Sequence, residues 1–266
     1  MHQVSVDGLR IGFDTAGHGP PLVLVHGAFA DRRAWRPQLE GLADEFTVVA
    51  WDAPGCGGSS DPAEGLGLAG YADHLAGFIR HLGLDHPHVL GLSFGGGLAL
   101  ALYDRHPEIP RSLILASAYA GWAGSLPPDE VRARLERGLR DAHRSPREWI
   151  DDYLPTFFSG HVEPAVVEAT AAMMLDTRPA GMVAMLRAFA EADLREVLPA
   201  IAVPTLLLYG GADVRAPLPV AEDLHAQIPG SQLVVVPGAG HDANLEAPEA
   251  FNDAVRRFLR SVEIEM

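Results

Sequence analysis

The sequence feature that most constrains the fold is a serine bracketed by glycines between two apolar segments. Residues 91–95 read Gly-Leu-Ser-Phe-Gly; they follow the apolar run 88–90 and precede the apolar run 96–102. This pattern predicts a strand, a sharp turn at Ser93 and a helix, with the serine hydroxyl lifted clear of the sheet edge. The glycines let neighbouring chain pass close to the turn. In the alternative interpretation, the Ser93 hydroxyl only caps the helix that follows.

Several further apolar runs indicate the rest of the sheet. The sequence Asp7-Gly8 predicts a hairpin between two edge strands near residues 4–6 and 9–13. Uninterrupted β-favouring runs follow at residues 22–25, 46–51, 111–116, 204–210 and 232–236, and helical patterns such as 35–42 and 71–82 lie between them. Continuous apolar strands that alternate with helices predict an α/β fold, with a mostly parallel sheet covered on both faces.

The alternation stops between residues 120 and 200, where no convincing strand occurs. Proline marks four expected helix starts there, at Pro128, Pro146, Pro164 and Pro179. We predict a helical cap over residues 121–199, set on a core formed by residues 1–120 and 200–266. Apolar side chains of the insert either line a pocket or only pack the cap helices together; they are Trp122, Phe157, Phe158, Met173, Met174, Met182, Met185 and Phe189.

Composition excludes several classes of protein. The chain has 35 acidic and 20 basic residues, a formal net charge of −15 that would repel phosphate backbones and anionic membranes. Neither a secretory signal nor a membrane-spanning run is visible, and the single cysteine, Cys56, excludes an intrachain disulfide. We therefore expect a cytoplasmic protein that binds neither nucleic acid nor membrane, in which Cys56 is incidental.

Two further polar residues follow strands in positions that suit catalysis. Asp213 lies in a glycine-rich loop after strand 204–210, and His241 lies after strand 232–236. A serine hydroxyl needs a base to take its proton and a third group to orient that base. Asp213 could instead be an ordinary turn residue. Asp242 is a weaker candidate, because adjacent residues do not naturally point at the same partner.

The chain resembles α/β-hydrolase-fold proteins of the serine esterase, lactonase and cofactor-free perhydrolase group over residues 3–262. The resemblance rests on the turn at His26-Gly27, the D-x-P-G-x-G-x-S loop at residues 52–59, the Ser93 turn, the loop ending at Asp213 and the pair Gly240-His241. It implies an eight-stranded sheet, a cap inserted after the sixth strand and a structural role for His26. It also implies a catalytic triad of Ser93, Asp213 and His241.

The same resemblance implies how a developing oxyanion would be held. The backbone N–H groups of Phe94 and Ala28 match the family's oxyanion hole, and Phe29 is the weaker choice for the second donor. No metal and no cofactor are implied.

The activity implied is hydrolysis of a small-to-medium, largely apolar carboxylic ester or lactone through an acyl-enzyme. Perhydrolase or haloperoxidase-type chemistry and carbon–carbon bond hydrolysis use the same triad and stay open, as does a non-catalytic ligand-binding role. The partner expected is a small-molecule substrate, and the sequence does not decide whether the chain forms a homo-oligomer.

Overall fold

The computed structural model describes residues 1–160 and 162–264, and an eight-stranded sheet forms its centre. The strands are β1 (His2–Val6), β2 (Leu9–Ala16), β3 (Pro21–Val25), β4 (Thr47–Trp51), β5 (His88–Leu92), β6 (Ser112–Ala116), β7 (Thr205–Gly210) and β8 (Gln232–Val236). Their spatial order is β1-β2-β4-β3-β5-β6-β7-β8. The pairs β1·β2 and β2·β4 are antiparallel and the remaining pairs are parallel. The predicted mostly parallel, eight-stranded sheet is therefore confirmed.

The predicted hairpin joins β1 to β2. Val6 pairs with Leu9, and the two residues between them both take positive φ, 47° at Asp7 and 82° at Gly8. A two-residue turn of this hand matches the twist of the strands that it connects. The aspartate and glycine are residue types that tolerate this conformation.

Helices cover both faces of the sheet. They are α1 (Arg36–Gly41), α2 (Leu68–His81), α3 (Phe94–Arg105), α4 (Trp122–Ser125), α5 (Pro128–Ala142), α6 (Ile150–Tyr153), α7 (Pro164–Leu175), α8 (Pro179–Glu191), α9 (Leu218–Gln227), α10 (Ala243–Glu246) and α11 (Pro248–Ile264). Side chains alternate along β3, so that Val23 and Val25 join the core on the side of α2 and α3 while Leu22 and Leu24 join the core beside α11. Continuous apolar strands are needed because both faces are buried.

The elements between β6 and β7 are helical throughout the part that the structure describes, residues 117–160 and 162–204. Three of the four prolines begin α5, α7 and α8, and Pro146 begins a single 3₁₀ turn. That turn is closed by reciprocal hydrogen bonds between Ser145 and Glu148. The boundaries of a separate cap stay a prediction. No helix among residues 1–160 and 162–264 has the length and apolar character needed to span a membrane.

Candidate active site

Ser93 lies in the turn between β5 and α3 with a strained backbone. Its φ and ψ are 54° and −113°, a combination that residues with a side chain rarely adopt. The turn leaves no space beside it, because a Cβ atom added to Gly95 would lie 2.1 Å from the carbonyl oxygen of Val25. The Ser93 side chain makes no capping hydrogen bond to α3. The interpretation of Ser93 as a helix cap is therefore wrong.

Asp213 and His241 come together at the carboxyl ends of β7 and β8. Nδ1 of His241 lies 2.9 Å from Oδ2 and 3.1 Å from Oδ1 of Asp213, and both side chains are buried. The Asp213 Oδ1 atom also accepts hydrogen bonds from the N–H groups of Arg215 (2.8 Å) and Ala216 (2.9 Å). Because an ionised carboxylate only accepts hydrogen bonds, Nδ1 carries the proton and Nε2 is left as the basic nitrogen.

The surroundings of Asp213 stabilise its ionised carboxylate. Burial by itself would raise the pKa of this carboxyl, but the charge and hydrogen bond of His241 and the N–H of Ala216 hold the pKa below its usual range. The neighbouring Asp242 behaves oppositely, because burial raises its pKa to about 6. Within the described residues, the Asp242 carboxylate does not hydrogen-bond to His241, so Asp213 is the acid that orients the ring.

Ser93 and His241 both line a cavity of about 240 Å³, and both also border the smaller cavity beside it. In the described part of the chain, no hydrogen bond of 3.5 Å or less joins the Ser93 and His241 side chains. Catalytic hydrogen bonds of this kind are often long before substrate binds. The catalytic roles of Ser93, Asp213 and His241 stay predictions, and the structure supplies their shared position.

The predicted oxyanion donors lie at the same cavity. Ala28, Phe29 and Phe94 line it together with Ser93. Neither the N–H of Ala28 nor that of Phe94 donates a hydrogen bond to any other described residue. Phe29 takes a positive φ of 63°, which turns the backbone sharply just after Ala28. Two N–H groups without acceptors at one cavity are what an oxyanion hole requires.

His26 holds the two loops beside the site together. Its Nδ1 contacts the carbonyl oxygen of Gly27 at 2.8 Å, and its Nε2 accepts a hydrogen bond of 3.0 Å from the N–H of Ala53. Both ring nitrogens are thus occupied by the backbone, and the ring is buried. This position agrees with the structural role that the family resemblance implies.

The apolar residues of the helical insert divide between several cavities. Trp122 and Phe189 line the cavity of Ser93, whereas Phe157, Met173 and Met174 line a smaller neighbouring one. Met182 and Met185 lie at a third cavity, beside Cys56. Burial raises the pKa of the Cys56 thiol, which opposes formation of a reactive thiolate.

Two features of the site were not found by sequence reasoning. Ser117, at the end of β6, has a positive φ of 45° and donates a 3.1 Å hydrogen bond to the carbonyl oxygen of His241. Three arginines, Arg134, Arg137 and Arg215, line the cavity of Ser93. In the sequence, the signal that could have placed Arg215 at the site is its position two residues after Asp213. Among residues 1–160 and 162–264, no three His, Cys, Asp or Glu side chains are grouped to hold a metal ion.

Comparisons with known proteins agree on the fold. A family model described as alpha/beta hydrolase fold matches residues 20–248. The chain is similar to a malate-bound thermophilic esterase from Thermogutta terrifontis, with 33% identity and a TM-score of 0.91 over 98% of this chain and 99% of the other. It is also similar to an enol-lactonase from Burkholderia xenovorans LB400, with 26% identity and a TM-score of 0.89 over 97% and 100% of the two chains.

A relative of different activity is found by sequence. The 2-hydroxymuconate semialdehyde hydrolase of Pseudomonas putida is 30% identical over 98% of this chain and 94% of its own length.

Proposed function

Because the chain belongs to the alpha/beta hydrolase fold family, we propose that it is a serine hydrolase that cleaves a carboxylic ester or lactone. One observation carries the proposal: a strained serine, a histidine paired to a buried aspartate and two N–H groups that have no acceptor among residues 1–160 and 162–264 all meet at one cavity. The similarity to an esterase and to an enol-lactonase supports the same reaction class.

In the proposed mechanism, Ser93 Oγ attacks the substrate carbonyl while Nε2 of His241 takes its proton. Asp213 holds the imidazole in the correct tautomer and stabilises the imidazolium. The N–H groups of Ala28 and Phe94 bind the oxyanion. The imidazolium then protonates the leaving alcohol, and an acyl-enzyme on Ser93 remains. Water activated by His241 releases the acid and restores the serine.

Hydrolysis of a carbon–carbon bond is the second candidate. It is favoured by the 30% identity to a 2-hydroxymuconate semialdehyde hydrolase over nearly the whole of both chains. Either reaction can use the same serine, histidine and oxyanion donors, so the two candidates differ in the bond that is broken.

The first test is the initial rate on p-nitrophenyl esters of increasing acyl length, with Ser93→Ala protein as control. We expect a rate maximum at a short acyl chain and its loss in the variant, since the cavity of about 240 Å³ is small. Equal rates in wild type and variant across the series would reject the ester-hydrolase proposal. Carbon–carbon cleavage of vinylogous 1,5-diketones is then measured with the same pair of proteins.

A further inference from the structure

The cavity that contains Ser93 is positively charged in a strongly acidic protein. Arg134, Arg137 and Arg215 line it, and none of its lining residues in the described part of the chain is Asp or Glu. The whole chain, by contrast, carries a formal net charge of −15. Three guanidinium groups are therefore concentrated at one cavity of an acidic protein.

Arg215 is the arginine nearest to the predicted triad in sequence, and its guanidinium is held in place. The group lies 4.4 Å from the centre of the Phe157 ring, and Nη1 donates a hydrogen bond of 2.8 Å to Thr156 Oγ1. The backbone is fixed as well, because its N–H donates to Asp213 and its carbonyl accepts from the Tyr119 hydroxyl. A guanidinium ordered in this way loses little entropy when it binds a ligand.

Arg215 nevertheless forms no direct ion pair in the part of the chain that the structure describes. No Asp or Glu oxygen in residues 1–160 and 162–264 lies within 4.0 Å of its guanidinium. Burial lowers its pKa, although an arginine side chain stays charged under any ordinary condition. Asp213 is engaged by His241, and Asp242, which lines the smaller neighbouring cavity together with Arg215, attracts the guanidinium without a direct ion pair. A partly buried guanidinium that lacks a direct ion pair can gain one from an anionic ligand.

The other two arginines face the same cavity from α5. Arg134 and Arg137 are three residues apart and so lie on one face of that helix. Arg134 pairs with Glu130 at 2.6 Å, and Arg137 forms longer ion pairs with Asp152 at 3.5 Å and Asp141 at 3.8 Å. Both add positive potential to the cavity, and Arg215 is the group left free to make a direct pair.

We propose that the substrate carries a second, ionised carboxylate group, which Arg215 binds while the ester or lactone carbonyl lies at Ser93. This inference rests on the proposed ester hydrolysis and narrows it to the esters or lactones of short dicarboxylic acids. The planar fork of a guanidinium matches a carboxylate with two parallel hydrogen bonds. The cavity volume of about 240 Å³ also favours a short acid, because typical ligand sites span roughly 300–1,000 Å³. The sequence predicts a largely apolar substrate, and this proposal replaces that expectation with a substrate that carries a carboxylate at the end away from the ester or lactone.

Two substrates that differ in one group test the proposal. Monomethyl glutarate carries a carboxylate where methyl pentanoate carries a methyl group, and acid release from both is followed in a pH-stat. The measured quantity is kcat/KM for the charged ester divided by kcat/KM for the neutral ester. Hydrogen bonds between charged groups contribute about 1.5–3 kcal/mol, so Arg215→Gln should lower this ratio by about 10–100-fold. Added salt should lower the wild-type ratio, by screening the pair.

Arg132→Gln is the matched control. Arg132 is another α5 arginine, but it is exposed, pairs with Asp129 at the surface and does not line the cavity. We expect the ratio to be unchanged in this variant. Arg215→Lys keeps the charge without the fork and should lower the ratio less than Arg215→Gln. An unchanged ratio in correctly folded Arg215→Gln and Arg215→Lys proteins would overturn the proposal.

A binding experiment separates this inference from the proposed function. Glutarate and glutaramide are titrated calorimetrically into two proteins, the Ser93→Ala variant and the double variant that carries both Ser93→Ala and Arg215→Gln. We expect glutarate to bind more tightly than glutaramide, and Arg215→Gln to remove that preference. If neither ester is hydrolysed but the preference is seen, the ester-hydrolase proposal fails and the carboxylate site stands. If esters are hydrolysed but no preference is seen, the carboxylate site fails alone.

Discussion

The sheet carries a serine, a histidine and a carboxylate at each of its two ends. At the carboxyl ends of the strands these are Ser93, His241 and Asp213. At the amino ends, Nδ1 of His88 lies 2.8 Å from Ser112 Oγ and its Nε2 lies 3.0 Å from Oε1 of Glu263. The two clusters contain the same types of functional group but differ in access to solvent.

The serine and histidine of the amino-end cluster are closed off from solvent, although Glu263 is partly exposed. Ser112 and His88 are fully buried, and Arg111 donates a hydrogen bond of 2.6 Å to the same Glu263 oxygen. Burial lowers the pKa of His88, which favours the neutral ring. The Ser112 hydroxyl and both ring nitrogens of His88 have partners, so neither side chain is left to act on a ligand.

The carboxyl-end cluster keeps its groups open. Ser93 and Ser117 have positive φ, the N–H groups of Ala28 and Phe94 have no acceptor among the described residues, and His241 faces a cavity. Strained backbone and unpaired donors persist only where the surrounding fold enforces them, and such sites are often functional. Residue types alone therefore do not distinguish a candidate active site from a structural cluster, whereas backbone strain and unfilled hydrogen-bonding capacity do.

The largest expected difference between the two clusters is in serine reactivity. A fluorophosphonate probe should label Ser93, and Ser93→Ala should lower both labelling and ester hydrolysis by about 10⁴-fold or more. Ser112→Ala should be labelled at the wild-type rate, because Ser112 is buried. Peptide mapping by mass spectrometry checks the site of labelling, and an adduct on Ser112 would remove the distinction.

The next largest difference is expected between Asp213 and Glu263, in how far their substitution lowers kcat. Asp213→Asn favours the wrong imidazole tautomer and should lower kcat by about 10²–10⁴-fold with a correctly folded protein. Glu263→Gln should leave kcat within about threefold, since among the described residues its carboxylate pairs with His88 and Arg111, away from the cavity of Ser93. Steady-state kinetics on one ester measures both, and comparable losses in the two variants would contradict the separation of roles.

The pH dependence of stability should have opposite signs at the two ends. Burial raises the pKa of Asp242 to about 6 from 3.8 when unfolded, so the folded protein binds this proton more tightly and loses stability as pH rises from about 4 to 6. The Asp242→Asn variant has no carboxyl at this position, so it does not lose stability in this way as pH rises. Its free energy of unfolding relative to wild type should therefore increase by up to about 3 kcal/mol between pH 4 and pH 7.

Glu263 should show the reverse dependence. Burial opposes its ionisation, but Arg111 and His88 hold its pKa below the usual 4.5, so its contribution is present above pH 4.5 and is lost as pH falls through the folded pKa. The stability gap between wild type and Glu263→Gln should narrow in acid. Urea unfolding at several pH values measures both variants, and parallel curves for wild type and Asp242→Asn would refute the buried, titrating carboxyl.

The smallest effect is expected at Ser117. Ser117→Ala removes the hydrogen bond to the carbonyl oxygen of His241, which contributes about 1 kcal/mol, and should lower kcat by about fivefold with KM unchanged. This separation of kcat from KM is the readout for a positioning role. Ser112→Ala should instead lower only the free energy of unfolding. A loss of stability in Ser117→Ala with an unchanged kcat would assign Ser117 to structure alone.

Local patterns account for the part of the fold that was predicted from the sequence. The strand at residues 88–92 and the hairpin at Asp7-Gly8 depend on neighbouring residues, and both are confirmed. Helix α2 begins at Leu68, three residues before the predicted start at Tyr71. Leu68 is buried against the core, a tertiary contact that extends the helix beyond its local periodic pattern.

Contacts between distant segments account for what was not predicted. Ser117 and His241 are 124 residues apart, and their hydrogen bond uses a backbone carbonyl that carries no signal in the sequence. Arg134 and Arg137 lie on a helix whose charged pattern is typical of a solvated surface. Only the packing of α5 over the carboxyl ends of β5, β7 and β8 brings them to the cavity of Arg215.

Local sequence patterns account for the order of the strands along the chain, the strained turn at Ser93 and the two loops that carry Asp213 and His241. These features follow from glycine placement and apolar periodicity, which act over a few residues. Only the packing of the whole chain places Ser93 and His241 at a cavity while it buries Ser112 and His88. It also decided the charge of that cavity, because burial and the distance between charged groups depend on how the whole chain packs.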